Sequence, residues 1–287
     1  MTRGARDYTA SALLLKVIVE HGSLSAMIRL KTPRQIAGIR ESCRLLVQVL
    51  ETLEQAIAPG KTTLDIDTLA RREIRALGGR PAFLGYKGFP GAICISTNEE
   101  VIHGIPGPRI IAPGDIVSID CGIEYNGYYS DSAITVPVGE ISKSAQQLLQ
   151  VTRKSLEAGI QAVQKGKRIN DISRAIHGVI REHRYGVVRE FCGHGVGLGI
   201  HEDPQIPNYV SSGPNPRLKP GMVLAIEPMV NLGGDGIIVL DDNWTVVTAD
   251  RSLSAHFEHT VVVHHDHVEV LTRRSRELVH SSAEVHR

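Results

Sequence analysis

The stretch IVSIDCGIEYNGYYSDSAIT, residues 116–135, decides how this chain is read, because its geometry follows from spacing alone. Asn126-Gly127 is the strongest short-range signal for a two-residue hairpin loop. With that loop, Tyr125 faces Tyr128 and, counting back, Gly122 faces Asp131. Side chains two apart on a strand share a face, so Asp120 lies diagonal to Asp131 on one face. Diagonal neighbours sit roughly 7 to 8 Å apart at the backbone. A divalent cation, or two of them about 3.5 to 4 Å apart, fits between the carboxylates they carry. Two acids on a hairpin are by themselves an ordinary solvated face. Their meaning depends on what the rest of the chain supplies.

The 287 residues suffice for one large domain or two modest ones, and 42% hydrophobic residues provide for a sizeable core. With 32 basic and 31 acidic residues there is no global signature of nucleic-acid or membrane binding. Cys43, Cys94, Cys121 and Cys192 are scattered without a C-x-x-C pair, which argues against a disulfide framework and a zinc knuckle and fits a reducing cytoplasm. No apolar run approaches the roughly eighteen residues of a spanning helix. Arg3 and Arg6 precede ASALLLKVIV, faintly like a signal peptide, but Lys16 interrupts the apolar stretch and Glu20 follows it without a cleavage-like site. Residues 1–26 therefore read as an N-terminal extension, with Met27 an alternative start, and residues 27–287 as a single domain.

Thr32-Pro33 is a helix start, and Ile36, Ile39, Cys43, Leu46, Leu50, Leu53 and Ile57 recur at three- and four-residue spacing until Pro59-Gly60. A second helix is expected from about Leu64 to Leu77. After the hairpin the order returns, with helices expected at about Ser144–Gln164 and Asp171–His183. Letters repeat as well: Gly60-Lys61, Asp65-Ile66 and Ile74-Arg75 recur as Gly166-Lys167, Asp171-Ile172 and Ile180-Arg181, a constant offset of 106. Two related halves, about 33–140 and 141–272, packed face to face would place a site between them.

The second half carries further chemistry. In FCGHGVGLGIHEDP (191–204), His194 and His201 flank alternating glycines that let backbone approach a ligand. The spacing is not that of a phosphate loop, and Pro204 and the lack of a second histidine exclude a helical zincin motif. MVLAIEPMV (222–230) is a mostly apolar strand with one acid, Glu227, and HFEHTVVVHH (256–265) sets Glu258 at the start of another. A charge in an otherwise buried strand needs a partner. Singly, each residue has a bland explanation. Together Asp120, Asp131, His194, Glu227 and Glu258 are too oxygen-rich for a structural zinc site and too histidine-containing for a calcium cage, and they suit a dinuclear Mn, Fe or Co centre that activates a shared water.

The order Asp, Asp eleven later, His in C-G-H-G, Glu in I-E-P-M-V and Glu in F-E-H-T resembles the type I methionine aminopeptidases of peptidase family M24, from about Leu30 to Thr272. GYKGFP (85–90), CISTNEEVIHGIP (94–106), HEDPQIPNY (201–209) and WTVVTADRSLSAHFEHT (244–260) support it. The resemblance implies an α+β pita-bread (creatinase/aminopeptidase) fold, two pseudo-symmetric αβ halves around a curved antiparallel sheet. It implies two divalent ions (Co, Mn, Fe or Zn) on the five residues, with Asp131 and Glu258 bridging them and Glu227 also acting as general base or proton shuttle. His201 would contact the scissile carbonyl oxygen and stabilise the oxyanion. His103 would touch the amide nitrogen of the residue after methionine. Phe83, Tyr86, Phe89, Ile200 and Trp244 would line a methionine pocket, whose aromatic rings suit a polarizable thioether. A monovalent cation, Na or K, would sit near Asn98 and Ser254. The substrates would be nascent polypeptides and N-terminal Met peptides with a small second residue, processed by a cytoplasmic monomer in transient contact with ribosomes, with no nucleic-acid or membrane binding of its own.

The chain departs from the pattern at four places. Gly122 and Ala225 stand where some family members have threonine, which bears on the bonding around the metal ligands. Ile200 replaces an aromatic and Phe83 a smaller residue, so the pocket is reshaped. Two other readings compete: a prolidase or Xaa-Pro aminopeptidase on the same fold, which would keep the five ligands but lack GYKGFP, and a non-catalytic pita-bread binding module, which would be expected to have lost ligands.

Overall fold

The computed structural model describes residues 27–275 and 277; the expected extension, residues 1–26, lies outside them. Four helices carry the fold: α1 (Pro33–Ala56), α2 (Thr63–Ala76), α3 (Lys143–Gln161) and α4 (Ile169–Glu182). Each lies where the apolar spacing placed it, with ends within three residues. Thr32 caps α1 in a capping box with Gln35, and Pro33 takes the first helical position.

The first half adds β1 (Arg80–Pro81), β2 (Cys94–Thr97), β3 (Glu100–Ile102), β4 (Ile116–Tyr125) and β5 (Tyr128–Pro137). Its core packs Leu46, Leu50 and Leu53 of α1 and Ile66 and Ile74 of α2 against Val117, Ile119 and Ile123 of β4. The second half adds β6 (Gly186–Val187), β7 (Gly193–Gly195), β8 (Glu202–Ile206), β9 (Val223–Ile226), β10 (Met229–Asn231), β11 (Ile237–Val239), β12 (Val246–Thr248), β13 (Ser254–His256), β14 (His259–Val263) and β15 (Val268–Val270). Its core packs α3 and α4 on Leu224, Ile226 and Val261. Every strand pair is antiparallel, and the largest sheet runs β15-β14-β9-β7-β8.

The repeat is geometric as well as literal. Helix α4 begins and ends 106 residues after α2 (63 to 169, 76 to 182). Gly60 and Gly166 both adopt φ 87°. The Thr62 N–H donates to Asp65 and the Arg168 N–H to Asp171, each at 2.8 Å. The predicted hairpin register also holds: Tyr125 pairs with Tyr128, Gly122 with Asp131 and Asp120 with Ala133. Asn126 and Gly127 take φ 52° and 80°, the doubly left-handed turn that matches strand twist.

The halves meet where β5 runs beside residues 256–260. The Glu258 N–H donates to Ala133 O at 2.9 Å. Three hydroxyls add bonds: Ser132 Oγ to Glu258 O (2.7 Å), Thr135 Oγ1 to His256 O (2.8 Å) and Thr260 Oγ1 to Asp131 O (2.7 Å). Replacing Thr260→Val should cost about 1 kcal/mol, rising to about 3 if the carbonyl finds no other donor. Urea denaturation of metal-free protein checks this, and an unchanged midpoint would contradict it.

Candidate metal centre

The five predicted ligands arrive from both halves. Asp120 is on β4 and Asp131 on β5, His194 is on β7, Glu227 directly follows β9, and Glu258 lies between β13 and β14. All five are buried. Donor atoms of Asp120, Asp131 and Glu258 lie within 4.8 Å of one another, as do those of His194, Glu227 and Glu258. His194 Nε2 stands 3.4 Å from Glu227 Oε1 and 3.7 Å from Asp131 Oδ2. Its Nδ1 lies 2.9 Å from Gly195 O, an acceptor that assigns the proton to Nδ1 and leaves the Nε2 lone pair facing the carboxylates.

Burial sets the electrostatics. Desolvation pushes the carboxyls of Asp120 and Glu227 up to about 7. It lifts those of Asp131 and Glu258 well above the usual carboxylate range, and neighbouring carboxylates add to both. Asp120 Oδ1, Asp131 Oδ1 and Glu258 Oε1 are buried without a hydrogen-bond donor. Such oxygens are costly to bury unmet, and a divalent cation is the group that would satisfy several at once. Four carboxylates and one imidazole suit a divalent cation.

A cavity of about 190 Å³ opens onto this cluster. Phe83, Tyr86, Phe89 and Trp244 line it with His103 and His201. Phe89 and Trp244 meet edge to face at 5.1 Å, and His103 lies edge-on to Phe191 at 5.2 Å. Tyr86 stacks on His201 at 5.1 Å, and the rings of His201 and His194 are 4.4 Å apart. Burial pushes the His103 imidazole down to about 4, so it works as a neutral ring.

Ile200 is placed differently: it is not among the cavity-lining residues but is buried behind Phe83. Its Cδ1 and Phe83 Cε1 would stand 3.0 and 2.9 Å from a Cβ at position 122. Glycine at 122 is what lets both close over the hairpin. Asn98 and Ser254 are brought together, the Ser254 N–H donating to Asn98 O at 2.8 Å. Their side chains already bond within the protein, Asn98 Oδ1 accepting from Ile116 N–H and Ser254 Oγ donating to Asn231 Oδ1.

Several residues at the site escaped sequence reasoning. Cys94, Phe191 and Cys192 line the cavity, and His256 Nε2 faces Glu227 Oε2 at 3.5 Å. His256 was within reach, since it stands two residues before Glu258. Cys94 is the register partner of Asp120, which the sequence does not encode locally.

The model of a family described as "Metallopeptidase family M24" matches residues 37–265. The chain belongs to that family. Within it, the chain is 53% identical over 247 residues to the methionine aminopeptidase of Treponema pallidum, covering 86% of this chain and 96% of that protein. It is 50% identical to methionine aminopeptidase 1 of Bacillus subtilis, covering 86% of this chain and all of that one. The crystal structure of methionine aminopeptidase from Thermotoga maritima superposes with a TM-score of 0.84 at 42% identity, over 86% of this chain and 100% of that chain. The prolidase of Pyrococcus furiosus, 24% identical with a TM-score of 0.70 over 86% of this chain and 66% of its own, shares the fold. These likenesses bear out the expected pita-bread architecture and the reading of the M24 chain as a metal-dependent hydrolase.

Because the buried carboxyls hold protons more tightly than an unfolded chain does, an ion binding there must displace them. Folded values of about 7 against roughly 4 unfolded mean that the metal-free protein loses stability from these groups as pH rises through that interval. The gain in melting temperature on adding Mn should therefore grow from about pH 5 to about pH 8. Calorimetric scans across that range test this, and a pH-independent gain would contradict it.

Proposed function

We propose that this chain removes the N-terminal methionine from peptides and nascent proteins whose second residue is small. The observation that carries the reading is the direct opening of an aromatic cavity onto a five-donor carboxylate and imidazole cluster. An apolar residue held among Phe83, Tyr86, Phe89 and Trp244 would present its own amide bond to that cluster. Asp120, Asp131, His194, Glu227 and Glu258 would hold two divalent ions. Such ions, when bound, supply Lewis acidity that ionises water near neutral pH and polarises a carbonyl.

The remaining steps belong to side chains. Glu227, buried at the mouth of the cluster, accepts the proton of the attacking water and passes it on. His201, fixed against Tyr86, faces the developing oxyanion. Neutral His103, between Phe191 and Trp244, hydrogen-bonds the departing amide nitrogen. The cavity walls exclude bulk water. A monovalent cation near Asn98 and Ser254 is a lesser part of the proposal, since those side chains already have protein partners. Co, Mn, Fe or Zn as the ions, a monomeric state, a cytoplasmic setting and transient ribosome contact complete it. Free Cys43, Cys94, Cys121 and Cys192 suit a reducing compartment. No helix among the described residues is long and apolar enough to cross a membrane.

The test is release of free methionine from Met-Ala-Ser by metal-stripped protein after addition of Mn, Co or Fe, with Met-Lys-Ser and Ala-Pro peptides as controls. Metal-dependent cleavage of Met-Ala-Ser alone is expected. Cleavage of the proline peptide instead would favour a prolidase-like activity, and no cleavage despite bound metal would favour a binding module. Asp131→Asn and Glu258→Gln should abolish turnover and lower metal content, whereas His201→Ala should cut turnover by roughly 10²-fold with metal retained. Full activity in any of the three variants would refute the role given to that residue.

A further inference from the structure

Glu202 adjoins His201 at the start of β8 and is buried, with its side chain 2% exposed. Both of its oxygens are taken up by the protein. Oε1 accepts from the Leu198 and Gly199 N–H groups at 2.6 and 2.9 Å. Oε2 receives Lys31 Nζ at 3.0 Å and Arg29 Nε at 3.2 Å. Lys31 is buried with a side chain 1% exposed, whereas Arg29 is half-exposed. The Lys31 N–H donates to Gly221 O at 2.7 Å, and Thr32, the cap of α1, follows at once.

A buried ion pair is a poor device for stability, because desolvation offsets most of the attraction and an apolar pair of similar volume would serve as well. What this carboxylate does is geometric. Residues 197–201 form a glycine-containing loop between β7 and β8 that would be loose by itself. The Glu202 carboxylate sits inside the curl of that loop and binds two of its amides. Lys31 then ties the carboxylate to the segment leading into α1. His201 is the last residue of the loop, one face against Tyr86 and its ring beside His194.

We propose that Lys31 and Glu202 are positioning residues that hold the 197–201 loop, and so His201, in register with the metal centre. The inference rests on the role proposed above for His201. Misplacement of a catalytic group by about 1 Å can cost on the order of 10²-fold in rate. Lys31→Met and Glu202→Gln should thus lower kcat by roughly 10- to 100-fold, with little change in Mn content or in KM for Met-Ala-Ser. Lys31→Arg, which keeps the charge, should restore most of the turnover.

The deciding experiment is a double-mutant cycle on Mn-loaded protein, with Lys31→Met and Glu202→Gln each made in wild-type and His201→Ala backgrounds. If the clamp acts through His201, either change costs less than about two-fold once the imidazole is gone. Equal losses in both backgrounds would overturn the proposal, as would unchanged kcat in the wild-type background. Loss of the folded state in both variants, read by circular dichroism and not restored by Lys31→Arg, would make the pair structural and overturn it too. Full turnover by His201→Ala alone, with Lys31→Met still impaired, would refute the His201 role and this inference together, whereas an impaired His201→Ala with additive losses refutes only the clamp.

Discussion

Four carboxylates must stand together where water scarcely reaches, and the fold is arranged around that repulsion. Strands that carry like charges would drift apart unless their backbones were held by something other than the charged groups. The seam between β5 and residues 256–260 supplies this. Ser132, Thr135 and Thr260 each use a hydroxyl to reach a carbonyl on the opposite segment, and Ala133 accepts from the Glu258 N–H. Three of these four bonds engage the main chain of Asp131 or Glu258, which leaves those side chains free to face inward. The buried carboxylate oxygens without donors are therefore held ready for a cation. Such a site forgoes stability that a satisfied core would have had.

The pseudo-symmetric frame and the asymmetric loops divide the work. Each half buries a helix pair on a sheet with its own apolar core, and the two cores answer each other through the 106-residue offset. That symmetry brings two sets of strands to one seam but does not by itself distinguish metal ligand from substrate contact. The cavity-lining side chains come from segments outside the helix pairs: the 83–89 turn with its aromatic rings, the glycine-rich 193–199 run and the 244–258 stretch. His103 is an instance on the first side. It follows β3 with φ 59°, a left-handed conformation that a side chain adopts only when its surroundings enforce it.

Much of this was legible in the sequence where local rules dominate. The Asn126-Gly127 turn dictated a register that fixed Asp120 and Asp131 on one face, because a two-residue loop leaves no freedom in the pairing. Helix α1 could be traced from Thr32 because cap, proline and apolar spacing agree. Legibility failed where pairing is non-local. The strands of the second half are mostly three to five residues long, too short for periodicity to register, and their order in the sheets follows contacts far apart in sequence. Cys94 meets Asp120 only through such a pairing, and Phe191 and Cys192 reach the cavity only through the packing of the loop before β7. Ile200 misled in the opposite sense. The family resemblance made it a wall residue, whereas it is absent from the cavity lining and packs in one buried cluster with Phe83 and Phe89.

Strand β4 explains why the pocket and the metal centre cannot vary independently. Asp120 holds a place in the cluster, its partner Cys94 lines the cavity, and Gly122, opposite Asp131, leaves the space into which Phe83 and Ile200 pack. A side chain at 122 would meet the Phe83 ring at less than van der Waals distance, so positions 122 and 83 are coupled through packing. A larger ring on the cavity wall needs the missing Cβ beneath it. Gly122 offers no side-chain donor on the strand that carries Asp120, whose Oδ1 is among the buried oxygens left unmet. Pocket shape and the electrostatic demand of the centre are thus set together by a single position, because a two-residue spacing along an extended strand puts both on the same face.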